Sequence, residues 1–199
     1  MPTKPFAPAA RENRDAILSV LRQEFKHTNS VLEIGSGTGQ HAVYFSQQLP
    51  HLTWQSSDKR EMLAGINLWI KEARLKNALE AIELDVNAHW PQQSYQGAFA
   101  ANIAHIMHLK EIEALFSGLD HVLTDKAVFC LYGPFNINGN YTSESNRRFD
   151  LWIKERDPDA CIRDRNDLDQ IAANNNFQPS TLWEMPSNNK ILCWQKQGS

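Results

Sequence analysis

Short apolar runs alternate along the chain with segments in which apolar residues recur every three to four positions. The apolar runs predict strands over residues 31–34, 52–56, 81–84, 98–103 and 127–132. The segments with helical spacing predict helices over residues 11–25, 39–48, 61–74, 110–123, 143–156 and 167–174. Strands that alternate with helices in this way indicate a mostly parallel sheet with helices on both faces.

The C-terminal part departs from this alternation. Residues 178–183 and 191–195 predict two further strands, and the short connection Met185–Lys190 makes them an antiparallel pair. The whole pattern predicts an α/β fold of three layers, of the Rossmann-like kind, with a mostly parallel seven-stranded sheet and a C-terminal antiparallel hairpin. No linker or repeat divides the 199 residues, so we expect one domain over 1–199, with residues 1–10 as a flexible or draped arm.

Composition and charge narrow the class of protein. Hydrophobic residues make up 42% of the chain, and a net charge of −3 offers no strong field to nucleic acid or an acidic membrane. No apolar run approaches the ~18 residues of a membrane span. The cysteines Cys130, Cys161 and Cys193 have the spacing of neither a disulfide framework nor a zinc site. We therefore expect a cytoplasmic protein with free thiols, no metal, and neither a nucleic-acid nor a membrane partner.

The most informative segment is Val31–His41, where a predicted buried strand breaks into a glycine-rich turn that opens a helix. The turn has glycine at alternate positions, with Ser36 and Thr38 between them. Glycines let the backbone bend sharply and leave room for a ligand beside it. The free backbone N–H groups at the start of the following helix make this arrangement typical of a nucleotide site.

The glycine spacing bears on which nucleotide binds. A dinucleotide fingerprint reads GxGxxG, whereas this turn reads Gly35-x-Gly37-x-Gly39, with Gln40 at the place of the last glycine. With Glu33 two residues before the turn, the segment resembles the ExGxGxG pattern of class I S-adenosylmethionine (AdoMet) methyltransferases. An NAD(P)-binding oxidoreductase is the less favoured alternative. Glu33 lies on a buried strand, so it needs hydrogen bonds from the turn's backbone or from a nearby side chain.

Polar residues also follow the next three predicted strands. Asp58 comes after the second strand, about 20 residues past the glycines, where an acid can accept hydrogen bonds from both ribose hydroxyls. Asp85 ends the third strand, beside Val86, and Asn102 ends the fourth. An acid at the Asp85 position of methyltransferases reaches the adenine amine, while its apolar neighbour flanks the ring. Because ligands bind at the carboxyl ends of parallel strands, we expect these residues to line one cofactor site.

A series of short motifs resembles one family over most of the chain, from about Ala9 to Trp194. The motifs are Asn102–Ile106, Leu131–Phe135, Thr142–Asn146, Phe149–Asp150, Arg156–Pro158, Arg163–Asp164 and Met185–Asn189. Their order is similar to that of the DUF938 family, also called UPF0585, which is related to methyltransferase-like protein 26. The chain departs from the family pattern at Arg11–Glu12, where members have Glu-Arg, and at Ala160–Ile162.

The resemblance implies a class I methyltransferase fold and a transferase activity. The cofactor would be AdoMet, the product S-adenosyl-L-homocysteine, and the substrate a small-molecule methyl acceptor. A protein that keeps the fold and binds AdoMet without turnover, as a scaffold, is an alternative. A monomer and a homodimer are equally consistent with the sequence.

The loops after the fourth, fifth and sixth strands would converge on the transferred methyl group. His105 is the first candidate for a general base, because imidazole titrates near neutral pH. The alternative for His105 is a structural hydrogen bond at a helix start. Tyr132 is a second candidate catalytic residue, for which core packing with a satisfied hydroxyl is the alternative. The remaining residues assigned to the substrate pocket are Asn13, His108, Pro134, Phe135, Tyr141, Asn188 and Asn189.

Overall fold

A computed structural model describes residues 4–88 and 90–198. The strands of this part of the chain are β1 (Ser30–Ile34), β2 (Thr53–Asp58), β3 (Ala78–Glu83), β4 (Tyr95–Ala101), β5 (Leu123–Gly133), β6 (Thr181–Glu184) and β7 (Lys190–Gln195). Its helices are α1 (Pro8–Glu24), α2 (Gln40–Gln48), α3 (Arg60–Ala73), α4 (Leu109–Val122), α5 (Glu144–Lys154) and α6 (Arg165–Ala173). The predicted α/β architecture is confirmed. No helix in the described ranges is long and apolar enough to cross a membrane.

The described strands form one seven-stranded sheet in the order β3-β2-β1-β4-β5-β7-β6. Strands β1 to β5 are parallel to one another, whereas β7 is antiparallel to both β5 and β6. Because β7 lies between them, β6 runs in the same direction as β5. The connection between β6 and β7, closed by a hydrogen bond from Met185 N to Asn189 O (3.0 Å), therefore lies at the carboxyl edge of the sheet.

Side chains of the central strand β1 alternate between two apolar layers. Val31 packs in the layer that contains the buried face of α1 and α2, and Leu32 packs in the layer that contains α4 and α6. The helices thus cover both faces of the sheet, as a buried parallel sheet requires. Strand β5 begins at Leu123, directly after α4, rather than at the predicted Ala127.

The N-terminal segment lies against the helices that follow the first two strands. Helix α1 begins at Pro8, three residues before the predicted Arg11, because proline suits the first helical position. Before it, the Pro5 carbonyl accepts a hydrogen bond from Trp69 Nε1 (2.7 Å), and Ala7 N donates to Gln40 Oε1 (2.6 Å). Residues 4–7 of the predicted arm are thus draped over α2 and α3, and residues 8–10 belong to α1 instead. Residues 1–3 lie outside the described ranges.

Two strands end earlier than the sequence predicts. Strand β3 ends at Glu83 and β4 at Ala101, so Asp85 and Asn102 lie in the loops beyond their strands instead of ending them. Asp85 begins a turn, in which its carboxylate accepts from Asn87 N (3.0 Å). Asn102 adopts a φ of 60°, the left-handed conformation that asparagine tolerates and a strand does not allow.

Candidate functional site

The turn between β1 and α2 depends on its glycines for two different reasons. Gly35, Gly37 and Gly39 all have positive φ, at 69°, 57° and 85°. A Cβ atom on Gly35 would lie 2.8 Å from Ile103 Cγ2, and one on Gly39 would lie 2.9 Å from Ile66 Cα. No atom of the described residues, apart from those of Gly37 and its two chain neighbours, lies within 4 Å of the position that a Cβ on Gly37 would take, so Gly37 borders open space. Two glycines permit close packing, and the third leaves room for a ligand.

Glu33, on β1, stabilises this turn through hydrogen bonds of its buried side chain. Its side chain is only 2% exposed, and Oε2 accepts hydrogen bonds from Ser36 Oγ (2.9 Å) and Trp54 Nε1 (3.0 Å). Of the two kinds of partner expected from the sequence, the structure has the nearby side chains. Burial raises the pKa of Glu33 to about 7. Glu33 is not among the described residues that line the adjoining cleft, so it reaches the site through the turn.

Asp58, the last residue of β2, is held by two backbone donors. Oδ2 accepts from Gly37 N (2.7 Å) and Oδ1 accepts from Lys59 N (2.7 Å). Burial raises the pKa of its carboxyl group above the ordinary value. A carboxylate oxygen has more than one acceptor site, so both oxygens can still accept hydrogen bonds from ligand hydroxyls.

A cleft of about 480 Å³ lies at the carboxyl edge of the sheet, where β1 to β4 end. The polar residues predicted at the strand ends line it together: Gly35, Gly37, Asp58, Asp85 and Asn102. Its apolar walls include Val86, Met62, Ile103, Ile106 and Met107. Ser36 and Thr38 line a smaller adjoining cavity of about 210 Å³, and Gly39 packs against α3 instead of facing either space. The volume of the cleft suits a small-molecule ligand.

A second pocket of about 590 Å³ adjoins the first at Asn102, which lines both. Five separate segments of the chain contribute to it. They supply Ala9, Glu12, Asn13 and Ala16 from α1; His105 from the loop after β4; Tyr132 and Pro134 from the end of β5; Ser145, Asn146 and Phe149 from α5; and Pro186–Asn189 from the connection between β6 and β7. The pocket therefore contains most of the residues that the sequence assigns to the substrate.

His105 is the buried imidazole of this pocket. Its side chain is 8% exposed, and its ring meets Phe149 edge to face at 5.2 Å. Nδ1 is buried and has no hydrogen-bond partner among the described residues. Burial lowers the pKa of His105 to about 4, so the ring is neutral near pH 7. A neutral imidazole with an unpaired nitrogen in a pocket can exchange a proton with a bound molecule.

Tyr132 belongs to a neutral hydrogen-bond network on the floor of the same pocket. Its hydroxyl bonds to the side chains of Asn13 and Asn189, and burial raises its pKa, so the phenol stays protonated. Asn13 Oδ1 in turn lies 2.8 Å from His41 Nε2. Burial lowers the pKa of His41 to about 4, which leaves this ring neutral as well. The network joins α1, α2, β5 and the loop before β7 without a formal charge.

Three residues predicted for the substrate pocket do not line it. Phe135 is fully buried in the core layer of α4. The Tyr141 hydroxyl donates to Asp150 Oδ2 (2.6 Å), which holds the ring away from the pocket. His108 precedes α4 as its N-cap, and its Nε2 lies 2.8 Å from Asp157 Oδ2 on the surface. In each case a packing or hydrogen-bond partner elsewhere in the fold fixes the side chain.

The proximity of His108 and Asp157 raises the pKa of the histidine and lowers that of the carboxyl group. With Asp159 they form the one three-residue set in the described ranges whose possible metal-ligating atoms lie within 4.8 Å of one another. This surface set lies outside the lining of both cavities.

Arg163 has a role that the sequence does not predict. Its guanidinium donates to the carbonyls of Ala104 and Met107, which flank His105, and to Asp159 O (3.0 Å). Arg163 thereby holds the loop that carries His105. Because its partners are backbone carbonyls, no pattern of side chains could have indicated the contact. The sequence does not predict the role of Glu12 either, because an exposed glutamate on a helix has no local pattern that distinguishes it from other surface residues.

The solved structures to which this chain is similar include several methyltransferases. The apo form of the S-adenosylmethionine-dependent methyltransferase SibL matches with a TM-score of 0.82 and 14% identity, over 96% of this chain and 56% of SibL. Human N-acetylserotonin methyltransferase in complex with SAM matches with 0.81 and 10%, over 96% and 53%. An O-methyltransferase family protein from Burkholderia thailandensis matches with 0.78 and 12%, over 94% and 60%. The chain spans little more than half of these proteins, and the fold is the methyltransferase fold.

A family model gives the more specific assignment. The model of the DUF938 family, described as proteins of unknown function, matches residues 4–196. The chain belongs to this family, as the motifs in its sequence predict. The match covers both cavities, including the glycine turn, His105 and the connection between β6 and β7.

Proposed function

We propose that this protein is an AdoMet-dependent methyltransferase that acts on a small-molecule acceptor. One observation carries the proposal: a cleft lined by the glycine turn and strand-end acids meets, at Asn102, a pocket that holds a buried neutral imidazole. Methyl transfer requires that the methyl donor and the methyl acceptor be held side by side, and two adjoining cavities provide this arrangement.

The residues of the cleft suit the parts of AdoMet. The Asp58 carboxylate would accept hydrogen bonds from the ribose hydroxyls, and Asp85 would accept one from the adenine amine. Val86 and Ile103 supply apolar surface for the base, while Gly37 leaves room beside the turn. When bound, AdoMet supplies an electrophilic methyl group on its sulfonium. The absence of glycine at position 40 is evidence against a dinucleotide.

The pocket residues would position the acceptor and remove its proton. Tyr132, Asn13 and Asn189 offer neutral donors and acceptors that orient a polar group. His105 would take the proton of an acceptor O–H or N–H on its ring nitrogen, because the ring is uncharged near neutral pH. Arg163 would keep the His105 loop in place through its carbonyls.

Calorimetric titration with S-adenosylhomocysteine tests the proposal, with NADH as the matched control ligand. We expect micromolar binding of S-adenosylhomocysteine and no heat of binding with NADH. Binding of NADH alone, or of neither ligand, would overturn the assignment of the cleft.

A further inference from the structure

The second pocket has an uneven distribution of charge. Among the described residues, its lining contains one carboxylate, Glu12, and no lysine or arginine. The titratable groups deeper in the pocket do not compensate, because His105 and Tyr132 are both neutral near pH 7. The other polar residues of the lining are asparagines and serines. Any charged molecule in this pocket therefore meets a negative group and no positive one.

Glu12 is oriented by helix α1. Ala9, Glu12, Asn13 and Ala16 share one face of α1 at the spacing of neighbours along a helix, and all four line the pocket. Glu12 is exposed and has no hydrogen-bond or ion-pair partner among the described residues. Its carboxylate is thus free to interact with a bound molecule at the pocket.

Three basic side chains on or beside the elements around the pocket have acidic partners of their own. The Lys190 ammonium, next to Asn189, pairs with Glu184 Oε2 (2.7 Å). On α5, Arg147 pairs with Glu144 (2.8 Å), and Lys154 pairs with Asp150 (2.6 Å). Arg11, beside Glu12 on α1, is exposed and is not among the described residues that line the pocket. Glu12 is therefore the one charged side chain in the described lining.

We propose that the acceptor carries an ammonium group, which Glu12 recognises, and that carboxylate and phosphate compounds are disfavoured. This inference rests on the proposed function, since it concerns the acceptor of the same site. The volume of about 590 Å³ limits the ligand to a small molecule. The asparagines, Tyr132 and the Phe149 ring accommodate the uncharged remainder of such a molecule.

The test uses protein saturated with S-adenosylhomocysteine and two pairs of probes of similar size but opposite charge. Phenethylamine is compared with hydrocinnamate, and ethanolamine with glycolate, by calorimetry at low salt. We expect at least one amine to bind about tenfold tighter than its paired carboxylate, with the difference shrinking as salt is added. Equal binding within both pairs, tighter carboxylates, or no binding by either amine would overturn the proposal.

Substitutions at Glu12 test whether this residue causes the preference for amines over carboxylates. Glu12→Gln should bring the two affinities of the responding pair close together, and Glu12→Lys should invert their order. Glu113→Gln, an exposed position on α4 outside both cavities, is the matched control and should keep the preference. An unchanged preference in Glu12→Gln would assign it to another group and contradict the proposal.

The first step of the experiment separates the two proposals. Failure of S-adenosylhomocysteine to bind the wild-type protein would overturn the proposed function. Normal binding of S-adenosylhomocysteine, without a preference for amines, would overturn only the inference about the acceptor.

Discussion

The cofactor cleft and the acceptor pocket meet at Asn102 but are built differently. The cleft takes its polar residues from positions at or just beyond the ends of consecutive strands, such as Gly37, Asp58 and Asp85. The pocket takes its residues from five segments that are distant in the chain, from Glu12 to Asn189. The cleft holds carboxylates fixed by backbone donors, whereas the pocket holds uncharged groups and one free carboxylate. Substitutions should therefore affect cofactor binding and acceptor chemistry separately.

The largest separation is expected at His105. His105→Ala should lower kcat by about a hundredfold to ten-thousandfold, because it removes the proposed proton acceptor, and should leave the affinity for S-adenosylhomocysteine unchanged. His108→Ala, on the surface outside both cavities, is the matched control. The measurement is transfer of labelled methyl from AdoMet to an acceptor found by the binding experiment. Equal losses in the two variants would contradict the role of His105.

The pH dependence of the free energy of unfolding should reveal the raised pKa of the buried Glu33 carboxyl group. The pKa of Glu33 is about 7 in the folded protein and 4.5 as the ordinary value, so the folded state binds the extra proton between these pH values. Its contribution to the free energy of unfolding therefore falls as pH rises through this window, by about 3 kcal/mol in total.

Glu33→Gln keeps an oxygen that can accept from Ser36 and Trp54 but cannot ionise. Denaturant unfolding should show the variant gaining stability relative to the wild type from pH 4.5 to 7. His41 and His105 have lowered pKa values, so their contributions change in the opposite direction and cancel in the difference between the two proteins. A difference that stays constant with pH would contradict the buried carboxyl assignment.

A smaller effect is expected at the cofactor cleft. Asp58→Ala should weaken binding of S-adenosylhomocysteine by about tenfold to a hundredfold, since it removes charge-assisted hydrogen bonds to the ribose. Calorimetry gives the dissociation constants, with Asp167→Ala on the exposed side of α6 as the control. If the two variants bind S-adenosylhomocysteine equally well, Asp58 does not contact the ribose.

The smallest effect is expected at Tyr141. Tyr141→Phe removes the hydrogen bond to Asp150 and should lower the free energy of unfolding by about 1 kcal/mol. Binding of S-adenosylhomocysteine and of the probe amines should not change, because Tyr141 does not line the described cavities. Weaker amine binding in this variant would show that Tyr141 takes part in the acceptor pocket and would contradict its placement outside it.

The cofactor cleft and the acceptor pocket also differ in how much of their structure can be predicted from the sequence. Gly35, Gly37 and Asp58 could be placed in one site because the carboxyl ends of parallel strands meet at one edge. The burial of Phe135 and the bond of Tyr141 to Asp150 depend on how α4 and α5 pack, which no local pattern specifies. The strand bounds before Asp85 and Asn102 were wrong because a turn and a left-handed backbone replaced extended chain.

A crystal structure of the complex with S-adenosylhomocysteine tests the central claim most directly. We expect the ligand in the cleft, with its ribose hydroxyls at the Asp58 carboxylate and its sulfur at the junction near Asn102, facing the pocket of His105. A ligand bound with its sulfur turned away from that pocket, or bound outside the cleft, would contradict the assignment of the cleft to the cofactor and of the pocket to the acceptor.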